Sequence, residues 1–151
     1  MENIPRFAFG TWRMLDEQST IEAVRYAVEK VGYRHIDCAR KYGNEANIGK
    51  ALHDLLSQNI IKRNELWITS KLWNTEHHSE NVEEQLRLTL KDLQLDYLDL
   101  YIIHWPVAFQ HGDGPFPKDK DGNIILDKTV DIHETWKALE NLVEKKLVNH
   151  I

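Results

Sequence analysis

Asp37, Tyr42, Lys71 and His104 are side chains whose types together describe a proton-transfer site. A phenol ordinarily titrates near ~10, too high for ready proton exchange at neutral pH. A lysine ammonium within hydrogen-bond reach favours the phenolate, and a carboxylate beside the lysine keeps it charged and in place. A neutral imidazole nearby donates a hydrogen bond to a carbonyl oxygen and orients it. Such a set makes a tyrosine the acid for a carbonyl that is becoming an alcohol. These residues leave other readings open. One is a structural ion pair with an incidental histidine. Another uses Lys71 as a Schiff-base nucleophile in an aldolase-like barrel; Asp37 weighs against it by stabilising the charged amine.

The site needs elements that deliver these groups to one place. The segments "FAFG" (7–10), "YRHIDC" (33–38), "LWITSK" (66–71) and "YLDLYIIHW" (97–105) read as strands. Helical spacing lies between them: Ile21, Val24, Val28 and Val31 with Ser19 or Thr20 as cap, then Ile48, Leu52, Leu55 and Leu56, then Val82, Leu86, Leu90 and Leu93. A fourth helix opens on a capping-box-like Asp131/Glu134 pair and runs through Trp136, Leu139 and Val143, with Trp136 expected in the core. The final "LVNHI" reads as the start of a fifth strand. Strict alternation predicts a parallel sheet with right-handed crossovers. Asp37, Lys71 and His104 then close successive strands at the C-terminal rim, where parallel α/β folds bind ligands. Trp12, Trp73, Trp105, Phe109 and Phe116 map to the same rim and suggest an apolar pocket. The segment 106–129 is too long for a plain connector and is read as a functional loop over that rim.

Other motifs carry less. No G-x-G-x-x-G follows a strand, and Gly43 and Gly49 are one residue too far apart for a phosphate loop, with Ala51 where Ser or Thr should stand. Gly43 is more simply a turn. His77 and His78, His133 with Glu134, and "DKDG" (119–122) all lack metal-ligand spacing and read as solvated turn residues, so no metal is expected. The net charge of −5 gives no reason to expect nucleic acid, and the mixed charges form no polybasic membrane patch. No apolar run reaches the ~18 residues of a membrane helix, and "MENIPRFAFG" is not a secretory signal. The single cysteine, Cys38, excludes an internal disulfide, and a soluble cytoplasmic protein is the expectation.

"GTW" (10–12), "YRHIDCARKYGNEANIGKAL" (33–52), "ITSKLW" (68–73) and "LDYLDLYIIHWP" (95–106) resemble, in order and spacing, the characteristic segments of the aldo-keto reductases. That resemblance implies a (β/α)₈ TIM barrel, an NADPH (NADP⁺) cofactor and reduction of a small aldehyde or ketone to an alcohol. It makes Tyr42 the general acid, Lys71 and Asp37 the groups that tune it, and His104 the group that orients the carbonyl. Thr11, Trp12 and Asp37 fall to the nicotinamide end of the cofactor; Trp12, Lys41, Trp73, His104, Trp105, Phe109 and Phe116 fall to the substrate pocket. Lys41, beside Tyr42, hints at anionic or sugar-like substrates. A full barrel takes ~250 residues. Residues 1–151 therefore correspond to one partial barrel domain: the first four βα units and the start of strand five. Most of the cofactor half is absent. Two sheet edges and the inner face are then left open, and self-association is expected. The competing function is a non-catalytic half-barrel that acts as a binding or interaction module.

Overall fold

Each apolar run settles as a strand and each helical stripe as a helix packed against it. The computed structural model describes residues 4–112 and 114–151. The order is β1 (Phe9–Gly10), α1 (Glu17–Tyr26), β2 (His35–Asp37), α2 (Glu45–Ser57), β3 (Trp67–Leu72), α3 (Ser79–Leu93), β4 (Leu98–Ile103), α4 (Ile132–Glu144) and β5 (Val148–His150). The strands lie in sequence order, β1-β2-β3-β4-β5, and every pairing is parallel. This is the arrangement of the first half of a (β/α)₈ barrel.

One face of the sheet is sealed by the helices. Ile36, Ile68, Leu72 and Tyr101 are buried there, against Ile48, Leu52, Leu86, Leu93 and Leu139. The contact between α2 and α3 depends on Gly49: a Cβ at this position would stand 2.1 Å from the carbonyl oxygen of Asp92. The other face carries Asp37 and Lys71, and with them, by alternation and register, His35, Trp67, Leu100, Ile102 and His150. Those last five are only half-buried, and Trp67 stacks on His150 with ring centroids 5.2 Å apart.

Several local expectations are corrected. Asp16, not Ser19 or Thr20, caps α1: its carboxylate accepts from Ser19 N at 2.8 Å, while Thr20 is buried inside the first turn. A carboxylate preceding the helix can reach the free N–H groups that Ser19 and Thr20, already within it, cannot. After Tyr26 the helix widens into a π-turn over Ala27–Val31. The wider turn breaks the 3.6-residue phase, so Val31 swings out to 58% exposure. At α4, Asp131 does cap, accepting from His133 N, but Glu134 pairs with Lys137 rather than closing a capping box. Trp136 is not core. The inward stripe is Thr135, Leu139 and Leu142, which leaves Trp136 about one residue's rotation away and 44% exposed.

His77 is not solvated, and His78 is only partly so. His77 is 1% exposed, its carbonyl accepts from Thr135 Oγ1, and neither ring nitrogen has a partner among the described residues. Burial pushes the imidazole down to about 4. His78 meets Asp127 at 2.9 Å and so ties the 106–129 segment to the start of α3. That segment folds back on itself through antiparallel bridges at Phe109–Leu126 and Lys118–Ile124, with "DKDG" as its exposed turn. Asn74 anchors its near end, donating to Val107 O and accepting from Phe109 N.

Candidate active site

Lys71 points from the end of β3 into a ring of acceptors. Its ammonium donates to Asp37 Oδ1 at 2.8 Å, Cys38 O at 2.8 Å and Tyr42 Oη at 3.2 Å. Three acceptors match the three N–H bonds of an ammonium. The lysine is 9% exposed, so its charge is held at short range against groups that satisfy it. Asp37 ends β2 one strand away, and its side chain remains one-third exposed.

Tyr42 is carried by a single 3₁₀ turn, Arg40–Tyr42, rather than by a strand or long loop. Gly43 reverses the chain at φ +72°, a conformation that suits glycine, and α2 starts two residues later. His104 lies just beyond β4, its backbone N–H donating to Leu72 O. Its ring stands edge-on to Tyr42 at 5.8 Å and to Trp73 at 5.0 Å between centroids. Burial, then the positive charge of Lys71, pulls the imidazole below its usual range. At neutral pH the ring is therefore neutral, with one N–H donor and one acceptor.

Above these groups opens a cleft of about 530 Å³ lined by Trp12, Lys41, Tyr42, Trp73, His104, Trp105 and Phe116. Trp73 is its fixed wall: the indole N–H donates to Pro115 O at 2.8 Å, and Phe116 meets it edge-on. Trp12 is the loose wall, 65% exposed with the Arg13 guanidinium over its ring. Two of the expected site residues have side chains behind the cleft's lining. Phe109 is buried behind Trp73, and Thr11 is fully buried with its hydroxyl spent on Asp37 O at 2.9 Å. Lys71 and Asp37 sit beneath the cleft rather than in its lining.

Sequence reading missed the two residues that hold the tyrosine turn. Asn44 is buried, and its amide donates to Thr11 O at 2.7 Å and Met14 O at 3.0 Å, joining this turn to the loop that carries Trp12. Glu45 is buried between Ser70 Oγ at 2.6 Å and Thr89 Oγ1 at 3.0 Å, and burial raises its pKa. It thus links the turn to the neighbour of Lys71. Arg40 adds a third tie, to Asp92 at 2.9 Å. A charged residue in the first turn of an otherwise apolar-faced helix was the available signal.

Residues 6–151 match the Aldo/keto reductase family profile. The chain belongs to that family. Among curated relatives, "Aldo-keto reductase family 1 member A1" from Homo sapiens is 56% identical and that from Gallus gallus 54%, over 97% and 99% of this chain respectively. In each case the match covers 45% of the relative, so the chain spans about half the length of these proteins. Among solved structures, the aldose reductase of Giardia lamblia superposes with a TM-score of 0.93 at 48% identity, over 100% of this chain and 50% of that one. The aldose reductase of Schistosoma japonicum gives 0.90 at 48% identity, over 97% and 48%. The aldo/keto reductase segment thus has the partial-barrel fold its strand order describes.

Proposed function

We propose that this chain supplies the proton-transfer half of an NADPH-dependent carbonyl reductase, with Tyr42 as the acid that converts an aldehyde or ketone to an alcohol. The observation that carries the proposal is the shared ammonium: Lys71 reaches Asp37, Cys38 O and Tyr42 Oη at once. A carbonyl seated in the cleft above Tyr42 accepts a hydrogen bond from His104, which polarises it. As the oxygen gains charge, Tyr42 gives up its proton, and the Lys71 charge stabilises the phenolate left behind. Asp37 holds Lys71 in place through both events. The aromatic walls of Trp73, Trp105 and Phe116 keep water from the reacting oxygen.

NADPH supplies the hydride when bound. The residues present fit its nicotinamide end: the part-exposed Asp37 carboxylate can accept from an amide, and Trp12 offers an exposed ring beside it. Thr11 contributes only by bracing Asp37 from behind. In this reading residues 1–151 form one partial barrel domain, and segment 106–129 covers the rim through Phe116 and Pro115. A reducing, cytoplasmic setting suits the buried thiol of Cys38, which burial keeps protonated.

The Schiff-base alternative fits less well, because a lysine that donates all three hydrogens has no lone pair to attack with. The non-catalytic reading has one observation in its favour: β1 and β5 leave their outer edges unpaired among the described residues, and the inner face is half-open. Self-association through those edges belongs to the same reading. Titration of the purified chain with NADPH, followed by tryptophan fluorescence, separates the two. Saturable quenching supports the reductase reading; a folded chain that gives no response favours the module.

A further inference from the structure

Every residue lining the cleft is aromatic or uncharged except Lys41. Its neighbour Arg40 is spent on Asp92, whereas the Lys41 ammonium makes no ion pair among the described residues. It is not extended into water either. The ammonium lies 4.7 Å from the Phe116 ring centroid and 5.7 Å from that of Trp73, so two walls of the cleft hold it by cation–π attraction. Its field reaches the catalytic end, since Lys41 is among the charges that disfavour protonated His104. Among the described residues no carboxylate lines the cleft itself, and Asp37, which acts on His104 in the opposite sense, lies beneath it.

A positive charge fixed on aromatic walls is a receptor for an anion. The ring contacts hold the ammonium in position, and its N–H bonds meet no protein acceptor among the described residues. An anion arriving there completes an ion pair in a partly desolvated setting, where charge-assisted hydrogen bonds are strong. We propose that Lys41 selects carbonyl compounds that carry an anionic group remote from the reacting carbonyl, a carboxylate or a phosphate. The inference rests on the carbonyl-reductase reading for what happens next, but binding alone tests it.

The probes are 4-carbamoylbenzoate and benzene-1,4-dicarboxamide, which share a ring and one amide carbonyl and differ by one charge. Both are titrated into the full chain, with and without NADPH, and followed by tryptophan fluorescence. The wild type should bind the anion about tenfold more tightly than the diamide, the scale of one charge-assisted hydrogen bond. Lys41→Met should remove that margin, read as the ratio of the two affinities within each protein, and Lys41→Arg should keep it. Raising the salt concentration should narrow it. A margin that survives in Lys41→Met places the anion elsewhere, on Tyr42 and His104, and overturns the proposal. Equal affinities in the wild type, or binding of neither probe by a folded chain, overturn it as well. A Lys41-dependent margin in a chain that never reduces 4-carboxybenzaldehyde keeps this inference and removes the reductase reading.

Discussion

The two faces of the sheet are built to different degrees of completion. On the helix-covered face, Ile36, Ile68, Leu72 and Tyr101 are sealed, and even the buried polar group Glu45 has both carboxylate oxygens satisfied. On the opposite face, His35, Trp67, Leu100, Ile102 and His150 are half-open; Lys71 is bonded to Asp37 at one end, and His35 meets Thr69 at 2.8 Å below it. The proposed chemistry therefore stands where a finished wall meets an unfinished one. Fold stability should depend on the first face, and ligand or partner binding on the second.

Substitutions can break or sharpen that contrast. The largest effect belongs to Gly49→Ala, whose methyl would meet the Asp92 backbone at 2.1 Å. Urea unfolding should show a loss of roughly 3 kcal/mol as α2 and α3 are forced apart. Glu45→Ala comes next, at about 2 kcal/mol, because the Ser70 and Thr89 hydroxyls lose their buried acceptor. Glu45→Gln should cost about 1 kcal/mol or less, since an amide keeps an acceptor and avoids burying charge. Trp67→Ala on the open face should cost about 1 kcal/mol, far below the ~3–5 kcal/mol of a buried tryptophan. A loss equal to that of Gly49→Ala would show that the inner face is covered in solution.

A pH series addresses the sealed side from another direction. His77 titrates at about 4 when folded and near 6.5 when free. Between those values the unfolded chain binds more protons, so stability should be complete above pH ~6.5 and fall as the pH drops towards 4. Burial also depresses His104, which adds loss in the same direction. His77→Leu should flatten the slope, read as the urea midpoint at pH 5 against pH 7.

The alternation of strands and helices was legible from local pattern, because each element's face is set by its own spacing. So were Asp37, Lys71 and His104 at the strand ends, since a charge after an apolar run stands out. The bracing of Tyr42 was not. Asn44 and Glu45 find their partners 33, 25 and 44 residues away, distances that no local period encodes. The π-turn that turns Val31 outward escaped as well, because its residues have ordinary helical preferences. Burial of His77 depended on the arrival of α4 above it, a contact spanning 58 residues.

The central claim is that Tyr42, held by Lys71, delivers the proton to a carbonyl. Initial rates of NADPH oxidation by the purified chain with 4-nitrobenzaldehyde, wild type against Tyr42→Phe, test it most directly. The account predicts saturable turnover in the wild type and a drop of about 10²-fold or more in the variant, the usual scale of a lost general acid, with NADPH affinity unchanged. Equal rates in the two proteins, or a folded wild type that oxidises no NADPH, would contradict it.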